Sequence, residues 1–205
     1  KRGWTVALQF VCGAAFALVA LALPAPGWLQ YVLAAFWLLA FASATHDIAA
    51  DGLYMLALAE KQQAAFVGVR STFFRLAMIT GQGALVVLAG WLFEAHGSWV
   101  RAWQAVFALL AALFVGAALW HARVLPRPSS DQPAPRRAGA AAEFFAVFAA
   151  FFRKREIVTI LAFLLLFRLG EAQLLKLAPP FLLDAREQGG LALGTAQLGL
   201  VYGTA

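Results

Sequence analysis

Apolar runs of about twenty residues recur along this chain, the length a helix needs to cross the hydrocarbon core of a bilayer. From Thr5 to Ala122 the charged side chains are Asp47, Asp51, Glu60, Lys61, Arg70, Arg75, Glu94 and Arg101. The apolar run resumes between Glu156 and Asp184, broken by Arg168, Glu171 and Lys176. Charged residues make up 13% of the whole, against roughly 25% in a soluble domain. Inside lipid every backbone polar group must be satisfied within the segment, so runs of this kind form helices. The sequence therefore specifies an all-α membrane protein. Its function rests with the few polar groups left inside the spans.

Five full spans and a truncated sixth are expected. They run from about Trp4 to Leu23, Trp28 to Thr45 with a continuation to Tyr54, Ser71 to Phe93, Ala102 to Leu119, and Ile157 to Pro179, with the sixth opening at Leu191. Pro24-Ala25-Pro26-Gly27 marks a tight turn. Residues 125–141 contain a Pro-rich polar linker that cannot cross a membrane. Residues 142–155 place Phe144, Phe148, Phe151 and Phe152 at helical spacing ahead of Arg153-Lys154-Arg155, the pattern of a helix lying on a membrane surface. The domain reading is 1–124 as part of an N-terminal helical bundle, 125–141 as linker, 142–155 as surface helix and 156–205 as the start of a C-terminal bundle. The absence of an initiator Met and the stop inside an apolar run suggest a piece of a longer protein.

The net charge of +6 reads as juxtamembrane Lys and Arg rather than a nucleic-acid footprint. Eleven of the sixteen cationic residues fall at alternate span boundaries: Lys1, Arg2, Lys61, Arg70, Arg123, Arg127, Arg136, Arg137, Arg153, Lys154 and Arg155. The positive-inside rule then makes the N-terminus, the Lys61 region and the linker cytoplasmic. Gly3–Leu23 is too long for a secretory h-region. The single Cys12 allows no intrachain disulfide, and His46, His96 and His121 lack metal-ligand spacing. No nucleophile–base pair or phosphate loop stands out, so neither an enzyme nor a cofactor is expected.

The polar groups within the spans are the site candidates, because an ionisable residue there is costly unless it works or is paired. Ser43, Asp47 and Asp51 are four apart and share a helix face, with Tyr54 close by and His46 adjacent. Asp47 and Asp51 are candidates for proton titration or gating, with an interfacial role open for Asp51. Arg75, in the following span, is a candidate partner for one of them, or a side chain that snorkels to the headgroups. Arg168 and Glu171 are three apart and lie roughly 18 Å into their span, near the midplane. They form the central candidate pair, with a purely structural ion pair as the alternative. His46, Gln173 and Lys176 are weaker candidates, and His96 and His121 are expected to be solvated. Gly81, Gly83, Ala84 and Gly90 are read as a helix-packing surface.

Four elements, Arg2-Gly3-Trp4, Ser43–Asp51 (SATHDIAAD), Phe74-Arg75-Leu76 and Arg168-Leu169-Gly170-Glu171, resemble the muropeptide-permease branch of the major facilitator superfamily. That branch also looks related to acetyl-CoA transporters. The resemblance covers nearly the whole chain and implies the third to seventh helices, with part of the eighth, of a twelve-helix transporter. It implies alternating access to a central site in a bacterial inner membrane, a small amphiphilic or anionic solute, and protons as coupling ion. Glu171, then Asp47, would carry the proton, and Arg168 would hold an anionic group. A facilitator-type exporter of drugs or metabolites, and a non-transporting receptor, are the alternatives.

Overall fold

The computed structural model describes residues 1–131 and 140–204. The rest of the linker, 132–139, lies outside the described residues, as does the Phe144 side chain. Eight α-helices are described: α1 (Arg2–Ala22), α2 (Trp28–Ala57), α3 (Glu60–Ile79), α4 (Leu85–His96), α5 (Trp99–Val124), α6 (Ala140–Phe152), α7 (Ile157–Leu183) and α8 (Thr195–Thr204). A π-helical turn, Thr80–Ala84, joins α3 to α4. Among the described residues five helical segments are long and apolar enough to cross a membrane: α1, α2, the continuous Glu60–His96 helix, α5 and α7. The protein is a multi-pass membrane protein. The chain divides into two compact units, one of Lys1–Asp131 with Gly194–Ala205 and one of Gln132–Leu193.

The first unit is built on α1, which packs against both α2 and α5. Small residues let the backbones approach. A Cβ on Gly13 would stand 2.9 Å from Val115 Cγ2 and 3.3 Å from the Ala111 carbonyl of α5, so any larger residue there must push α5 side chain and backbone aside. Val19 is fully buried and packs with Val32 and Ala35 of α2, with Phe107 of α5 alongside. Phe107 also stacks on Phe16 and tilts against Phe36 and Trp103, joining three helices through one aromatic cluster. Polar clamps hold both ends of the α1–α5 pair. Gln104 donates to the Ala20 carbonyl at 3.0 Å. At the other end Arg2 donates from Nε to the Leu125 carbonyl at 3.1 Å and from Nη2 to the Ala122 carbonyl. Those carbonyls are among the unpaired acceptors at the end of α5, where a cation also complements the helix dipole.

The third span begins at Glu60 rather than near Ser71, leaving only Leu58 and Ala59 between α2 and α3. The side chains of Tyr54, Gln62 and Gln63 build the turn. Gln62 Oε1 accepts from the Ala59 N–H at 3.1 Å, capping α3. Gln63 Nε2 donates to the Leu58 carbonyl at 2.8 Å, and Tyr54 Oη donates to the Gln63 carbonyl at 2.6 Å. Between α4 and α5 the chain reverses at Gly97, whose φ of +65° favours glycine. There Phe93 and Trp99 stack with ring centroids 3.9 Å apart, and the Ser98 side chain caps α5 through the Arg101 N–H.

α8 packs on α4 and on the π turn. A Cβ on Gly90 would lie 2.7 Å from the Ala196 backbone nitrogen, and one on Gly199 would lie 2.9 Å from the Gly83 carbonyl. The small-residue surface thus serves packing at Gly83 and Gly90. Gly81 has nothing within 4 Å of an added Cβ and takes no part.

In the second unit α7 runs through Pro179 and Pro180 to Leu183, four residues past the expected end. Each proline lacks the N–H that would bond the carbonyl four residues back, and the helix nevertheless continues through both. The sixth helix starts at Thr195 rather than Leu191. Residues 191–193 turn back instead, and their N–H groups bond to the carbonyls of Phe181, Asp184 and Leu182 at 2.8–3.0 Å. Those bonds satisfy acceptors that the end of α7 would otherwise leave open.

Candidate functional site

Three polar groupings stand on these helices. The first lies on α7, where Arg168 Nη1 donates to Glu171 Oε2 at 2.5 Å. One helical turn brings the two side chains together, so the spacing alone produces the pair. Both side chains are more than half exposed. Gln173 and Lys176 continue along the same helix and are also exposed. Arg168 supplies a planar fork of donors matched to a carboxylate or phosphate, and Glu171 supplies a group that can take or release a proton.

The second grouping joins α2 and α3. Asp51 pairs with Arg70, and the Arg70 guanidinium lies 5.8 Å from the Tyr54 ring centroid, a cation–π distance. Sequence reasoning placed Arg70 at a boundary and looked to Arg75 as the partner. The later span start carried that error. With α3 beginning at Glu60, Arg70 stands ten residues into the helix, about 15 Å along it. Asp47 lies four residues back along α2 and Arg75 five forward along α3, about 6 Å and 7.5 Å along their own helices. Even so, among the described residues Arg75 forms no ion pair. Asp47 is 77% exposed, with the His46 ring nitrogen Nδ1 3.9 Å from its carboxylate.

The third grouping lines a cavity of about 380 Å³ among α1, α2 and α5. Thr5, Gln9, His46, Tyr54 and His121 are its polar wall, and Ala50, Leu53 and Leu125 contribute apolar surface. The Gln9 amide lies 2.8 Å (Nε2) and 3.0 Å (Oε1) from His121 Nδ1. His121 is therefore half-buried and paired rather than solvated. Among the described residues the buried His46 Nε2 has no hydrogen-bond partner. Gln9 gave no signal in the sequence, since a lone Gln on an apolar helix has no spacing to mark it. Only the α1–α5 packing reveals its partner. Among the described residues no three His, Cys, Asp or Glu side chains converge as a metal site.

Against known proteins, no family model and no solved structure matches the chain. Curated relatives do. The chain is 29% identical over 213 residues to the anhydromuropeptide permease of Escherichia coli strain K12, across 99% of this chain. The counterpart from Escherichia coli O157:H7 matches at the same identity and coverage. The chain is similar to a permease. It spans about two fifths of the length of the curated relatives it matches, 41% in each case. The matched region covers nearly every residue here, the segments that carry the three polar groupings included.

Proposed function

We propose that this chain is part of a secondary transporter that moves a small amphiphilic or anionic solute, such as a muropeptide-like sugar-peptide, across the bacterial inner membrane by alternating access. The observation that carries this reading is the similarity to anhydromuropeptide permeases along 99% of the chain. Proton coupling is part of the proposal. Arg168 binds an anionic group of the solute, and Glu171 alternates between its salt bridge and a protonated state. Solute arriving at Arg168 competes for its forked donors and frees the Glu171 carboxylate for the proton. Asp47 is the second candidate for this work. The major-facilitator architecture, the cytoplasmic position of the linker, the surface role of α6 and the division into two bundles at 156 belong to the same proposal. Support for the orientation comes from the clustering of cations at alternate boundaries.

Glu171→Gln mimics the protonated acid. In proteoliposomes of the full-length protein, solute exchange should persist while uptake driven by a proton gradient falls to background. Arg168→Lys keeps the charge but loses the fork, and should raise KM for an anionic solute. Normal gradient-driven uptake by the Glu171→Gln protein would remove Glu171 from the mechanism and leave Asp47 as the coupling group.

A further inference from the structure

Between α6 and α7 the chain turns sharply. Glu156 sits at a φ of +62°, the Lys154 N–H bonds to the Phe151 carbonyl at 3.2 Å, and the Ile157 N–H bonds to the Lys154 carbonyl at 3.2 Å. Arg153, Lys154 and Arg155 occupy this turn consecutively. They carry three positive charges against the single Glu156, which lies 3.6 Å from Arg155 Nε, beyond a good hydrogen bond. The Arg155 side chain is 94% exposed, and the Lys154 ammonium lies 5.6 Å from the Phe151 ring centroid.

The helix leading into the turn has two unlike sides. At 100° per residue, Val147, Phe151, Phe148, Phe152 and Phe145 fill an arc of about 160°, while Ala146, Ala149 and Ala150 fill the opposite arc of about 100°. The bulky side chains are 41–68% exposed. A stripe of phenylalanines that runs into three cations matches the acyl–headgroup boundary of a bilayer, where the rings enter the acyl region and the cations meet phosphate. Two of the three cations are arginines, whose forked donors bind phosphate oxygens in pairs.

We propose that Arg153, Lys154 and Arg155, with the phenylalanine stripe of α6, form a docking site for the anionic headgroups of phospholipids. This goes beyond the permease reading and rests on it only for the surface position of α6. It has a consequence for α7. Anchored at this corner, the helix enters the membrane at a fixed point, and twelve residues later Arg168 lies about 18 Å deeper. The corner sets the depth of the Arg168–Glu171 pair.

The test is retention of lipid by the purified full-length protein, measured by native mass spectrometry during titration with phosphatidylglycerol or with phosphatidylcholine of the same acyl chains. The wild-type protein should prefer phosphatidylglycerol, and the preference should shrink as NaCl is raised. Single neutralisation, such as Arg155→Gln, should weaken retention roughly fivefold, and R153Q/K154Q/R155Q roughly 100-fold, at about one surface-charge increment per residue. The control R101Q/R186Q removes two charges elsewhere in the chain and should leave retention unchanged. Equal retention of the two lipids by wild type overturns the proposal even if no variant folds. So does a triple variant that holds phosphatidylglycerol as well as wild type, or a control that loses it equally. Full displacement of lipid by millimolar inorganic phosphate would also overturn it, because the site would then read free phosphate instead of a lipid surface.

Discussion

Within these 205 residues α1 and α7 are built from similar material and are packed to different extents. Each is an apolar helix of spanning length. α1 contacts two neighbours along its length, buries Cys12, Ala15 and Val19, and draws its polar residues Thr5 and Gln9 inward. α7 buries little beyond Ile157 and holds its charged pair on an exposed surface. Mean hydropathy therefore predicts which helices belong in a membrane, and says nothing of which will be covered by protein. That depends on small residues at matched positions. α1 has Gly13 against Ala111 and Val115, whereas an added Cβ on Gly170 of α7 would meet nothing within 4 Å.

The contrast can be broken or sharpened by substitution in the 205-residue chain. The largest effect is expected at Gly90, where a side chain must displace the α8 backbone. Gly90→Leu should cost up to about 3 kcal/mol and free α8, seen as faster amide exchange over residues 195–204. Next is the buried core of α1. Val19→Ala should cost roughly 2 kcal/mol of unfolding stability by cavity formation, while Leu165→Ala on α7 should change it by no more than about 0.5 kcal/mol. Equal costs would mean that α7 is as well packed as α1. The smallest and most diagnostic effect concerns the Gln9–His121 pair. Gln9→Leu should cost about 1 kcal/mol, the low end for a stranded polar group because the imidazole is only half-buried, and Q9L/H121L should regain most of it. A double variant as unstable as the single would show that the cavity requires polarity for its own sake.

The helical class, the number of spans and the Arg168–Glu171 pair were legible because each follows from local rules: run length, and an i,i+3 spacing on one helix. The partner of Asp51 was not, because pairing between helices depends on where each begins. Glu60–Gln63 reads as a solvated loop by composition, yet these residues cap the helix and fold its turn. That shift moved Arg70 inside the helix and made it the partner of Asp51. Gln9 and His121 were invisible for a related reason. They are 112 residues apart, and only tertiary packing brings them together. The resemblance to permeases rested on short motifs, and the similarity over the full chain supports it.

The π turn at Thr80–Ala84 acts as a phase shifter. One extra residue in a turn displaces everything after it by about 100° around the helix axis relative to an uninterrupted α-helix. Upstream, the long segment presents Arg70 toward α2. Downstream, it presents Gly90 toward α8. Relative to a straight helix with the same residues, the turn changes the angle between the Arg70 and Gly90 bearings by about 100°, and the one span meets both neighbours. Removing one residue from it would leave the apolar length sufficient to cross the membrane and yet rotate the glycine surface away from α8.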